Sequence, residues 1–169
     1  MIEVIFLILV LFALISIFWF ITYKKDRSTL ISFFEQEIID DKQKLLIAER
    51  KFVQGKIRKE VFEPLSGDME RQMVEKELEI FRIKKENTVS IKDKFLQLTE
   101  KMKHPTNYKK LKLEKLLKES EIIRQEMSFL ESKLLKREIK QSVFEFLIRK
   151  KEMEMIDKEN EIIKIIKLE

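Results

Sequence analysis

The chain has no cysteine, one histidine, two glycines and two prolines in 169 residues. Each scarcity removes a class of answer. Without thiols there is neither a disulfide framework nor a thiolate metal site. His104 is the sole histidine, so no Ser-His or Cys-His pair is available for nucleophilic catalysis. It is also not preceded by the Glu-x-x-His spacing that builds carboxylate metal sites in helical bundles. Two glycines cannot form a phosphate-cradling loop, and no P-loop motif occurs. An all-β chain needs many turns, and this chain lacks the residues to make them. What is abundant is hydrophobic (44%) and charged (38%) residues, a balance that sets the chain apart from disordered polypeptides. Long helices with few interruptions, an all-α fold without cofactor or catalytic site, is the expectation.

The longest apolar run opens the chain. From Val4 to Thr22 there is no charged residue. Nineteen helical residues at 1.5 Å each nearly cross the roughly 30 Å hydrocarbon layer of a bilayer. Trp19, Phe20 and Tyr23 gather at one end, where amphipathic rings favour the membrane interface. Lys24, Lys25 and Arg27 follow. A cleavable signal peptide has basic residues before its apolar run and small residues after it. Here Glu3 precedes the run and no small-residue site follows, so a retained transmembrane helix is the reading. Basic residues mark the cytoplasmic side. The N-terminus is therefore expected outside the cell membrane and the body in the cytoplasm.

The body contains a repeat. Residues 49–80 align without a gap on residues 131–162, an offset of 82, with thirteen of thirty-two positions identical. Chance in so Lys/Glu/Ile-rich a chain would give roughly three or four. The apolar stripe upstream keeps the same phase. Ile31, Phe34, Ile38, Leu45, Ala48 and Phe52 fall on steps of three and four, with Asp41 among them. Their counterparts are Leu113, Leu116, Ser120, Met127, Leu130 and Leu134, with Ile123 opposite Asp41. Such spacing over three heptads predicts coiled-coil-like packing, and a single polar position per stripe can set its register.

Each stripe leads to an expected turn, Gly55 to Ile57 in the first copy and Arg137 to Ile139 in the second. Glycine after a long helix enters the left-handed region without a Cβ clash. Arg137 leaves two alternatives open, a turn or a continuous helix. Past the turn, Ile57, Val61 and Leu65 share one face of a new helix, as do Ile139, Val143 and Leu147. Each isoleucine is expected to close the open end of a hairpin.

A helix ending at glycine, then one residue, then an apolar Ile and a second helix resembles the short helical-hairpin family called SHOCT. Gly55, Ile57 and Phe62 carry the match. That family places Ser or Thr after the isoleucine as a cap, where this chain has Arg58 and Lys140. The resemblance implies a hairpin and no catalytic activity. The layout of the whole chain is similar to that of uncharacterised archaeal membrane-anchored coiled-coil proteins.

The expected organisation is an anchor with its basic flank (1–27), a first hairpin with a short linking helix (28–102), a loop (103–107) and a second hairpin (108–169). Pro64 suits a helix starting near Glu63 and would bend one starting near Lys59. Ser90 is placed to cap the linking helix, Ile91 to Met102. Outgoing and returning helices of about 43 and 42 Å would bring the chain back to its starting level near Asn87.

Carboxylates alternate with lysines at helical spacing and read as solvated faces. One basic cluster stands apart: Lys103, Lys109, Lys110, Lys112, Lys115 and Lys118, against Glu114 alone. A solvated helix start or contact with anionic lipid accounts for it. Nucleic acid fits less well, because Tyr108 is the single nearby aromatic and no recognised module is present. The function expected is a non-catalytic, membrane-anchored scaffold or interaction module that self-associates or binds a protein partner through its coiled-coil faces. The rival is a stalk-like accessory subunit of a membrane complex, which wants one uninterrupted helix.

Overall fold

A computed structural model of the chain describes residues 2–86, 88–102 and 106–167, with residues 2–25 described by backbone alone. The described residues form five α-helices and no strand: α1 (Ile2–Val53), α2 (Lys59–Lys85), α3 (Lys92–Glu100), α4 (Asn107–Leu135) and α5 (Gln141–Lys167). Among the described residues no helix is long and apolar enough to cross a membrane. The expected anchor falls on side chains outside the described residues.

No glycine or proline precedes Gly55, and α1 runs unbroken to Val53. It then ends in a Schellman turn. The Lys56 N–H donates to the Lys51 carbonyl at 2.8 Å and the Gly55 N–H to Phe52 at 2.9 Å, with Gly55 at φ +68°. The same turn recurs 82 residues later. The Glu138 N–H donates to Lys133 at 2.9 Å and the Arg137 N–H to Leu134 at 2.9 Å, with Arg137 at φ +58°. The alternative left open at Arg137 is resolved: the chain turns there although the residue is not glycine.

Both turns close antiparallel hairpins, α1 with α2 and α4 with α5. In the first, Ile38, Asp41 and Ala48 of the stripe are buried, and Phe52 stacks on Phe62 across the turn at 4.5 Å. In the second, Leu113, Leu116, Ser120, Ile123 and Leu130 are buried. α2 begins at Lys59, so Pro64 lies inside it at the sixth residue. The helical donor for the Glu60 carbonyl is thereby lost, at an exposed residue where solvent can replace it. Ser90 does not cap α3. Ile91 holds that position without a side-chain bond, and Asp93 supplies an acid in the first turn. Thr106 caps α4 by accepting from the Lys109 N–H at 3.3 Å, so that helix starts at Asn107, one residue before the expected boundary.

The hairpins join through α2, which packs on both α4 and α5. Val74 and Leu78 of α2 meet Leu130 of α4 and Ile139, Val143 and Leu147 of α5 in one apolar cluster. A second cluster holds Met102, Leu113, Leu116, Leu117 and Ile165, with Phe95 and Leu98 of α3 against it. The linking helix therefore packs with the second hairpin. The face after the turn differs between copies. Ile139, Val143 and Leu147 are buried as expected, but Val61 is 59% and Leu65 39% exposed, and Ile57 is half-buried. The reason is tertiary: α2 covers the second hairpin, and among the described residues no helix covers the first in the same way.

Candidate functional site

Two acids depart from the solvated-face expectation. Glu126 of α4 is fully buried at the junction of α2, α4 and α5. Arg82 donates to it from Nε at 3.0 Å and from Nη2 at 3.3 Å. Lys151 Nζ lies 3.0 Å from Glu126 Oε2, the oxygen that Arg82 Nη2 also reaches, and 3.0 Å from Glu154. Burial works against the charge on Arg82, but Glu126, with Glu79 and Glu154, outweighs it and raises the guanidinium pKa. This ionic layer ties α2 of the first hairpin to both helices of the second. A signal for it was present: Glu126 stands three residues after Ile123 and four before Leu130, on the inward spacing.

Asp41 forms the corresponding link inside the first hairpin. Lys76 donates to it at 2.6 Å and Lys44 at 3.0 Å. The hydrogen bond from Lys76 holds the carboxyl below its ordinary range, overcoming the upward push of burial, with Lys44 assisting. The same bond raises Lys76. Lys76 also faces Glu37 at 3.6 Å, and 82 residues on Lys158 faces Glu119 at 2.9 Å. The Glu119 bond raises Lys158 against its desolvation. The internal repeat thus preserves an ion pair as well as a turn.

α5 takes its cap from the other hairpin. Glu70 of α2 accepts the Lys140 N–H at 2.5 Å and lies 3.1 Å from Lys140 Nζ, which also donates to Ser66 at 3.1 Å. Lys140 stands where the SHOCT pattern has a capping hydroxyl. The matching Arg58 in the first hairpin has no side-chain cap on α2. Glu77 with Lys133 at 2.8 Å and Glu75 with Lys150 at 3.0 Å complete the seam between the hairpins. Burial opposes the charge of Lys133, while Glu77 and Glu138 raise its pKa.

The basic cluster is less uniform than its sequence. Lys103 lies outside the described residues. Lys109 and Lys110 are half-buried, and Lys112 is exposed. Lys115 pairs with Glu119 at 3.8 Å and Lys118 with Glu114 at 2.8 Å. Two apolar side chains stand among them, Tyr108 at 73% and Leu111 at 68% exposure. They share an open groove of about 690 Å³ with Lys112, Lys115 and Glu86. Glu86 in turn forms an ion pair with Arg27 of α1. The returning chain therefore does reach the level of Arg27, and the Tyr108–Lys115 face lies beside that junction.

Of the four turn residues singled out in the sequence, Gly55 and Arg137 hold the left-handed conformation and Ile139 is buried beneath α2, while Ile57 remains half-buried. Among the described residues no group of three or more His, Cys, Asp or Glu is arranged to hold a metal ion. Comparison of the chain with protein-family models, with curated proteins and with solved structures finds no match.

Proposed function

We propose that this protein is a non-catalytic scaffold, anchored in the cell membrane by residues 4–22 and presenting a duplicated helical-hairpin body in the cytoplasm. The observation that carries the reading is continuity. The uncharged run belongs to the same helix, Ile2–Val53, that forms the first arm of the first hairpin. Movement of the anchor and of the body would then be linked through rigid helix. Duplication of one ancestral hairpin accounts for the matched identities, the matched Schellman turns and the matched Glu37–Lys76 and Glu119–Lys158 pairs. A stalk-like accessory subunit is disfavoured because the turn at Gly55 folds the helix back on itself.

Removing Glu3 from the count leaves 35 basic and 29 acidic residues, a modest excess suited to an anionic leaflet. Tyr108 and Leu111 among Lys112 and Lys115, beside the Arg27–Glu86 pair, form the face of the body best suited to lipid contact. Lys109, Lys110 and Lys118 supply further charge on the same helix, and Lys103 precedes it in sequence.

Membrane fractionation followed by protease protection of a C-terminal tag tests the reading. The chain should resist alkaline extraction from membranes, and the tag should survive digestion of intact cells. Extraction by alkali would remove the anchor, and digestion from outside would reverse the topology. Replacing Lys24, Lys25 and Arg27 by Gln should weaken the orientation preference. Vesicle sedimentation tests the lysines. Lys112→Gln with Lys115→Gln should reduce binding to anionic vesicles at low salt, and unchanged binding would mark them as a solvated face.

A further inference from the structure

The face of α2 that binds the second hairpin has a counterpart that is left open. Arg71, Val74, Leu78 and Phe81 lie on that α2 face: Val74 and Leu78 are buried, Phe81 stacks on Phe129 at 5.2 Å, and Arg71 covers Phe146 at 4.7 Å. Eighty-two residues later stand Met153, Ile156, Asn160 and Ile163 of α5. Met153 is 63%, Ile156 57% and Ile163 45% exposed. A face used for helix packing in the first copy is thus unpartnered in the second.

Its spacing identifies an occupant. Phe146, Arg149, Met153, Ile156, Asn160 and Ile163 follow steps of three and four, which puts Met153 and Asn160 at heptad a positions and Ile156 and Ile163 at d. A single asparagine at an a position pairs with its own copy in a parallel coiled coil and fixes the register. The flanks agree in two of three places. In a parallel pair Glu145 faces Lys150 and Glu159 faces Lys164 of the other copy, while Glu152 faces Asp157; all six are exposed. Lys150 would then share its charge with Glu75, 3.0 Å away within its own chain. Arg149 at a d position weakens the upper end, so the tight part of the seam runs from Met153 to Ile163.

We infer that α5 forms a parallel, in-register coiled coil with α5 of a second copy, centred on Asn160. The parallel sense rests on the anchored reading, since two copies in one membrane point the same way. About two heptads are marginal for chains meeting in free solution. Confinement of both copies to one membrane raises their effective concentration and offsets that shortfall.

The absence of cysteine makes the test direct. Single Ile156→Cys and Ile163→Cys variants of the full chain, oxidised in native membranes, should each give a disulfide-linked dimer on non-reducing gels. Val53→Cys, 84% exposed at the far end of α1, should not. Adding Met153→Asp to Ile163→Cys should abolish that cross-link while leaving the helical circular dichroism unchanged, because residue 153 is exposed in the single chain. Monomer alone from both α5 cysteines would overturn the proposal. So would cross-linking of Ile163→Cys to Ile47→Cys in mixed membranes without self-cross-linking, because that pattern marks a head-to-tail repeat of the Phe81–Phe129 contact. Membrane recovery is scored in the same samples, so failure of the anchor and failure of the seam read differently.

Discussion

Glu126 shows how far one side chain can depend on its neighbours. Its carboxylate is removed from water and held by Arg82 and Lys151. Glu126→Ala leaves Arg82 and Lys151 with only Glu79 and Glu154 to balance them and should destabilise the chain by roughly 3 kcal/mol, read from denaturant midpoints at unchanged m-value. Replacing the set together, Arg82→Leu with Glu126→Leu and Lys151→Met, should cost far less, because no buried charge is then left without compensation. Asp41 responds to pH. Its folded pKa is depressed from 3.8, so its contribution is full above that value and is lost as pH falls through the folded value. Lys76 is raised from 10.5, and its share is full below that value and is lost as pH rises through the folded one. Asp41→Asn should therefore cost roughly 1–2 kcal/mol on the plateau between these limits. Chemical denaturation across pH should show the gap between variant and parent narrowing below about pH 4.

At the scale of elements, the two turns are one structure built from different residues. A non-glycine residue in the left-handed region costs about 1–2 kcal/mol. Arg137→Gly should relieve that strain, less the entropy glycine adds to the unfolded chain, and raise stability by a few tenths to about 1 kcal/mol. Gly55→Ala should lower it by about 1 kcal/mol for conformational reasons alone, since nothing lies within 4 Å of an added Cβ. Thermal unfolding followed by circular dichroism reads both, and equal responses of the two turns would contradict this account. Both stripes were legible from spacing because a three-four pattern records which side of a helix is shielded, whatever shields it. The Arg137 turn was legible only through its alignment with Gly55, because its Schellman bonds are made by the backbone and any residue that tolerates the strain can supply them.

On the scale of the molecule, identical registers have different fates. Val74 is buried between the hairpins and Ile156, its equivalent, is exposed. Val74→Asp should destabilise the single chain by roughly 3 kcal/mol or more, whereas Ile156→Asp should change the folding stability of the single chain by less than about 0.5 kcal/mol. Denaturant melts of the two variants, compared side by side, check this asymmetry, and similar losses would contradict the assigned packing of α2. The seam also explains why α5 starts well without a local capping side chain, since Glu70 reaches across to the Lys140 N–H.

Local chemistry was sufficient for much of this protein. Scarce glycine and proline, the three-four spacing and the 82-residue repeat determined an all-α chain with paired hairpins and inward stripes, because helix propensity and amphipathic periodicity act over a few neighbouring residues. Tertiary structure decided which of two equivalent faces is covered, that Glu126 is buried, and that α3 packs on α4. Those outcomes follow from how the hairpins meet: once α2 covers Val143 and Leu147, their counterparts Val61 and Leu65 have no third helix to bury them among the described residues. A repeated sequence specifies the same local unit twice, but a chain of two units has two unequal ends.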